Sequence, residues 1–482
     1  MAPAKKGGLG SISLIFACGT ALFSDGYANN VIGSVNTILT RIYPADEFPA
    51  NYSTVLRSIV FVGTIVGMIV FAYISDKIGR KTGMMTATAI VAVFTALSAA
   101  SDGIGLKGTL TMLIVMRFFL GIGIGAEYPC GSVAASEQSE GSGVAKNAQH
   151  RWFALATNSM IDLGFVVSSF TPLVCYWIFG PNHLRAVWRV SLGLGVIPAC
   201  AVFLWRLKME EPEHYRKNSM KRVKVPYVLI LKRYWPGLAA LSLAWFIYDF
   251  ITYPFGLYSS TVVDSITGSS TNLTVVFGWS VIINLFYMPG TIIGAFVVDI
   301  LGPKNTMILG LLCQAVIGFI MSGAYVQLSQ HIGAFAVVYG IFLSFGELGP
   351  GNCLGLLAGK SGPTAVRGQY YGAAAAIGKI GAFVGTWAFP PMINAFGGPE
   401  STKGNTGPFW VASGLAVFSA IITFFFIRPL SHDGMAAEDE AFRLYLEENG
   451  WDTSQMGLGE DEISDVASAE KDAVDVKEDI PV

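Results

Sequence analysis

Ala72-Tyr73-Ile74-Ser75-Asp76-Lys77-Ile78-Gly79-Arg80-Lys81 has a counterpart far downstream in Ala295-Phe296-Val297-Val298-Asp299-Ile300-Leu301-Gly302-Pro303-Lys304. Both read A-x-x-x-D-x-x-G-x-[KR], and each follows the second long apolar run of its half of the chain. Such an internal repeat predicts two bundles related by pseudo-symmetry, with a binding site between them near the middle of a membrane. Glycine permits the tight turn, and the aspartate at a helix end can pair with bases or with helix dipoles. Asp76, Gly79, Arg80, Asp299 and Gly302 are therefore expected to form gating loops.

Working outward, the composition agrees. The 482-residue chain is 52% hydrophobic and only 13% charged, about half the charge of a soluble protein. Apolar runs long enough to cross a bilayer recur along it, and the short alternating segments of a barrel are absent. The spacing predicts twelve spans at roughly 11–39, 53–75, 82–101, 109–131, 150–176, 188–206, 236–258, 274–299, 304–326, 332–357, 369–396 and 407–428. The expected organisation is a cytoplasmic N-terminus (1–10), a six-helix bundle (11–206), a connector (207–235), a second six-helix bundle (236–428) and a tail (429–482). The fold class is thus an all-α membrane protein of two pseudo-symmetric bundles.

Orientation follows from the bases. Lys77, Arg80, Lys81, Lys146, Arg151, Lys304, Lys360, Arg367 and a strongly basic connector share one side, which is expected to be cytoplasmic together with both termini. The opposite loops are assigned fewer bases: Arg41, Arg57, Lys107, Arg185, Arg189 and Lys403. The glycosylation acceptors Asn51 and Asn272 fall on that outer side. The tail carries 16 acids from Asp433 onward against Arg443, Lys471 and Lys477, and is expected to be solvated and partly disordered. The six cysteines sit in or beside apolar runs and read as small buried hydrophobes. No cleavable leader is expected, the first span serving as the insertion signal.

Candidate function lies in charges inside the spans. Trp245, Asp249 and Tyr253, in Ala244-Trp245-Phe246-Ile247-Tyr248-Asp249-Phe250-Ile251-Thr252-Tyr253, recur every fourth residue, so a helix puts them on one face. An aspartate at bilayer depth is costly unless it faces a polar cavity or a partner. Asp25, Glu127, Asp162 and Glu347 are similarly placed, against only Arg117 and Lys379. Lys379 stands amid Gly and Ala, and needs an anion: Asp249 or Glu347 at rest, or a substrate phosphate. The glycines of spans four and eleven predict close helix packing. His150, His183 and His214 fall at loop positions, and no proton role is expected of them. No nucleophile–base set, nucleotide loop or metal-ligand spacing is present, so neither an enzyme nor a cofactor, metal or nucleic acid is expected.

Several motifs resemble those of the major facilitator superfamily: the Asp76–Lys81 loop, Arg117-Phe118-Phe119-Leu120-Gly121-Ile122-Gly123, Glu211-Pro212-Glu213-His214-Tyr215 and Pro363-Thr364-Ala365-Val366-Arg367-Gly368. Gly125-Ala126-Glu127-Tyr128-Pro129, the Trp245/Asp249/Tyr253 face, Gly378-Lys379-Ile380-Gly381-Ala382 and Phe23-Ser24-Asp25-Gly26-Tyr27 are similar to the fungal phosphate and organophosphate proton symporters. Asn158-Ser159-Met160-Ile161-Asp162 and Glu347-Leu348-Gly349-Pro350-Gly351-Asn352 depart from the inorganic-phosphate pattern, and Ala126–Glu137 looks more like glycerophosphodiester permeases. The resemblance implies proton-coupled import of glycerophosphoinositol or glycerophosphocholine by a monomer in the plasma membrane. The alternatives are an inorganic phosphate symporter and a nutrient receptor that does not transport. It implies substrate contacts from Lys379, Asp249, Trp245, Tyr253, Tyr128, Glu347, Asn352, Asp162 and Arg117, and proton coupling through Asp25, Glu127 and Asp249.

Overall fold

A computed structural model describes residues 8–44, 47–141, 143–221, 223–266, 272–454 and 456–457. Ten helical segments among them are long and apolar enough to cross a membrane. One, Leu273–Gly323, breaks at Gly302 (φ 75°) and supplies two crossings. The run 8–42, built of the apolar helix Gly8–Gly19 and the more polar helix Phe23–Ile42, is not among the ten and brings the crossings to twelve. Spans are numbered here in chain order: one 8–42, two Ala50–Lys77, three Arg80–Ala99, four Gly105–Ser139, five Lys146–Phe179, six Pro181–Arg206, seven Tyr227–Ile266, eight 273–301, nine 303–323, ten Ile332–Ser361, eleven Arg367–Ala395 and twelve Thr402–Phe426.

The two repeat loops make the turns the sequence demands. Gly79 (φ 148°) separates spans two and three, and Gly302 with Pro303 separates eight and nine. The first turn has a second reason for glycine. A Cβ on Gly79 would sit 2.4 Å from Glu211 Oε1, and Glu211 accepts the free amides of Arg80 (3.0 Å) and Lys81 (3.1 Å) at the start of span three.

Spans four and ten each contain a π-helical turn, Tyr128–Ser132 and Glu347–Gly351. Pro129 and Pro350 lie in them; proline has no amide hydrogen to donate, which favours a local change in the hydrogen-bond ladder. Span five breaks at Thr157 (φ −113°, ψ −77°), between helices Gln149–Ala156 and Asn158–Phe179. These three irregularities surround the same central region.

The glycines of spans four and eleven pack helices closely, as their number predicts. A Cβ on Gly121 would lie 2.2 Å from the Val60 carbonyl oxygen, and one on Gly381 would lie 2.2 Å from that of Phe246. Gly381→Leu should therefore force spans seven and eleven apart, costing about 1–3 kcal/mol. The measurement is the melting temperature in detergent, and an unchanged value would show that the contact is dispensable.

Four expectations are corrected. The tail does not stay solvated throughout: Gly434–Glu448 is a helix whose Met435, Phe442 and Leu446 are buried. It presents apolar residues at helical spacing to the connector, where Met220 and Val225 meet them, while Glu438 lies 3.4 Å from Arg233 and Asp439 3.7 Å from Arg367. The helix of span seven begins at Tyr227, inside the expected connector. Arg57, assigned to an outer loop, is buried within span two with its guanidinium over the Tyr258 ring at 4.2 Å. Among the cysteines, Cys200 is exposed on the outside of the bundle.

Candidate functional site: a charged cavity between the two halves

Spans one, four, five, seven, ten and eleven enclose a central cavity of about 50 Å³, room for a few waters only. Its charged residues fall in two lobes. In the first, the Lys379 amine donates to the Tyr253 hydroxyl and lies 3.5 Å from Asp249 Oδ2 and 3.7 Å from Asp25 Oδ2. The same amine sits over the Tyr253 ring (3.9 Å) and the Tyr128 ring (5.2 Å). Asp25 in turn accepts from Asn29, Tyr128 and Tyr253, whereas Asp249 Oδ2 makes no hydrogen bond. Lys379, Asp249 and Asp25 are each almost fully buried. An unpaired charge there would be severely penalised, so the amine and its two carboxylates stabilise one another across the halves.

The second lobe is acidic. Glu347 accepts from Tyr248 (2.7 Å) and from Asn158 (3.1 Å), and Asn158 also reaches Asp162 Oδ2 at 3.4 Å. One amide thus links a carboxylate of span five to one of span ten. The π-turn of span ten and the break at Thr157 place Glu347 and Asn158 at this depth. Trp245 closes the wall between the lobes, edge-on to Tyr371 at 5.6 Å and near Tyr128 at 6.5 Å.

Both ends of the cavity are closed. At the end carrying the connector, Asp76 accepts from the amides of Gly368 (2.9 Å) and Gln369 (2.8 Å) across the halves, and Glu137 pairs with Arg80 (3.0 Å) and Arg367 (3.2 Å). The second repeat behaves alike: Asp299 Oδ1 accepts the Arg151 amide at 3.1 Å. At the opposite end Thr37 bonds Ser260 (3.1 Å), and Trp387 donates to Ser58 (3.0 Å).

Of the residues singled out in the sequence, Lys379, Asp249, Asp25, Trp245, Tyr253, Tyr128, Glu347 and Asp162 meet at or beside this cavity. Three do not line it. Glu127 lies outside, its Oε1 taking Arg206 at 2.7 Å and Thr88 at 2.9 Å, because the π-turn that starts at Tyr128 aims the tyrosine inward instead. Arg117 donates to the carbonyls of Leu56 (3.3 Å) and Ala28 (3.2 Å) inside the first bundle, where it lines a smaller, separate cavity with Tyr27 and Thr95 rather than the central one. Asn352 holds spans eight and ten together through the Thr291 carbonyl at 2.8 Å. Tyr248, Asn158, Thr157 and Tyr371 line the cavity and were not singled out. The signal for Tyr248 and Asn158 was present: each lies beside or four residues from an intramembrane aspartate.

The Major Facilitator Superfamily model matches residues 15–386. The chain belongs to the major facilitator superfamily. It is 49% identical over 469 residues to a glycerophosphocholine permease of Candida albicans, covering 95% of this chain and 87% of that one. It is 34% identical over 471 residues to the glycerophosphoinositol transporter 1 of Saccharomyces cerevisiae, covering 97% and 88%. The solved structure of the superfamily's proton:xylose symporter XylE, bound to 6-bromo-6-deoxy-D-glucose, superposes with a TM-score of 0.75 at 17% identity, over 91% of this chain and 100% of that one. At that identity the likeness speaks for the fold alone, two six-helix halves.

Proposed function

We propose that the protein imports glycerophosphodiesters across the plasma membrane by alternating access, coupled to protons, with both termini in the cytoplasm. The observation that carries the reading is Lys379, the single amine among the described residues lining the cavity, held between Asp249 and Asp25. A phosphodiester brings one negative charge and competes with the two aspartates for that amine. The aspartate it displaces is left in a dry site without a cation and takes up a proton, so substrate and proton enter together. The acidic lobe suits the head group. Glu347, Asp162 and Asn158 offer acceptors to inositol hydroxyls, and a carboxylate beside Tyr248 suits a quaternary amine. The 49% and 34% identical relatives, named for glycerophosphocholine and glycerophosphoinositol, support the substrate class. In this orientation Asn51 and Asn272 lie outside as glycan acceptors, and Glu127 serves packing of the first bundle through Arg206.

The cavity as it stands is too small for such a substrate, so binding requires one end to open. The test is uptake into sealed proteoliposomes of labelled glycerophosphocholine, glycerophosphoinositol and inorganic phosphate, with and without an inward-acid pH gradient. Accumulation of a diester, stimulated by the gradient and resistant to competing phosphate, is expected. Accumulation of phosphate alone would make the protein a phosphate importer, and binding without accumulation would make it a receptor.

A further inference from the structure

The end of the bundle that carries the connector holds a cluster that transport chemistry does not use. His150 begins span five in the first half, Asp299 ends span eight in the second half, and His432 lies between span twelve and the tail helix. One ligand atom from each lies within 4.8 Å of the others. The imidazole rings of His150 and His432 stack at 4.2 Å. His150 is 1% exposed, and its ring nitrogens make no close, well-aligned hydrogen bond, with the backbone of Ser431 and Val298 nearby; Nδ1 of His432 and Oδ2 of Asp299 are likewise buried without one. Buried polar atoms are rarely left so, and here they occur on three residues from separate parts of the chain, each of which brings one ligand atom to the cluster.

We propose that His150, Asp299 and His432 form a binding site for a borderline divalent transition-metal ion of the zinc, cobalt and nickel kind, whose occupancy clamps this end of the transporter shut. Two imidazoles and one carboxylate suit these ions, whereas calcium and magnesium prefer all-oxygen shells. Three protein ligands leave a fourth position for water. Ligand atoms on a tetrahedral ion stand roughly 3.3 Å apart for bonds near 2.0 Å, so separations of up to 4.8 Å must contract by about 1.5 Å at most and the stacked rings must turn. His432 can turn, being half-exposed on a connecting segment. The charges facing the cluster permit it. Arg151 Nε, 3.7 Å from Asp299 Oδ2, belongs to a side chain 28% exposed that can swing into solvent, and Lys360 is neutralised by Glu140 at 2.7 Å. Because His150 and Asp299 belong to opposite halves, an ion bonded to both resists the separation that opens this end.

The test uses the tag-free, full-length protein. Cobalt titrated into the detergent-purified chain should give the visible bands of a tetrahedral nitrogen–oxygen site, and zinc should abolish them. His432→Gln, at a half-exposed position outside the transport cavity, should weaken cobalt binding by about tenfold or more without lowering uptake in metal-free buffer. In sealed vesicles, zinc on the connector side should slow substrate uptake and a chelator should restore it, in wild type but not in His432→Gln. No visible bands, or equal binding by wild type and variant, would overturn the site. Binding without any effect on uptake would overturn the clamp. Binding is read without substrate, so the outcome for this site is separable from that for the transported molecule.

Discussion

Lys379→Ala should reduce substrate uptake by about two orders of magnitude or more while the protein still reaches the membrane. The amine is the shared partner of Asp25 (3.7 Å) and Asp249 (3.5 Å). Removing one member of a buried ion pair costs about 3–5 kcal/mol, because the remaining charge has no counter-ion. At about 1.4 kcal/mol per factor of ten, that exceeds a hundredfold. Here the cost falls on the step in which an anion must enter a site now lined by carboxylates alone. Lys379→Arg keeps the charge but replaces a compact ammonium by a larger planar fork in a cavity of about 50 Å³, so it should recover only part of the uptake. Initial rates in vesicles, normalised to protein in the membrane, are the measurement. Wild-type uptake by Lys379→Ala would remove the site from the mechanism.

The second large effect is expected at the connector end, from Glu137→Ala. An unbroken series of alternating charges runs through the closed gate: Asp76 to Arg80 at 2.5 Å, Arg80 to Glu137 at 3.0 Å, Glu137 to Arg367 at 3.2 Å and Arg367 to Asp439 at 3.7 Å. It joins spans two, three, four and eleven to the tail helix. Glu137 is its centre, and both neighbouring guanidiniums are fully buried. Taking the carboxylate away brings Arg80 and Arg367 together with only Asp76 and Asp439 to offset them; because the Arg367 contact crosses the halves, most of a loss of about 3–5 kcal/mol falls on the closed form. The open-to-closed ratio at this end should rise by about two to three orders of magnitude. A Thr157→Cys probe in the cavity should then react faster with a thiol reagent added from the connector side, and the melting temperature should fall. Unchanged labelling and melting would mean that the series does not hold the gate.

The tail belongs to that gate. Asp439 accepts the Thr364 amide and hydroxyl, both at 2.6 Å, and lies beside Arg367 and His214. Burial opposes its charge, but Arg367, His214 and Thr364 outweigh it and hold the carboxyl below the usual aspartate range. A depressed value means that the docked tail gains stability above the ordinary aspartate pKa, and loses it as pH falls through the lowered one. Docking should therefore persist through the neutral range, and fail only in strong acid. Protection of the tail helix from protease across a pH series is the check.

Much of this architecture could be read from residue order. The Gly79 and Gly302 turns, the glycine faces of spans four and eleven, and the Trp245, Asp249 and Tyr253 stripe all arise among residues a few positions apart, where helical period and turn chemistry act directly. Composition and hydropathy likewise determined the membrane class and the pairing of two halves. Lys379 and Asp249 could be marked as a pair because a lone buried charge demands a partner, and few were on offer. Tertiary structure alone decided that Asp25 shares that lysine, that Glu127 turns away to Arg206, and that Arg117 spends its donors on backbone carbonyls. It also decided that an acidic tail folds back to pair with Arg367. These outcomes depend on which way a π-turn rotates a helix and on which side chains meet across hundreds of residues, and no period along the chain records that.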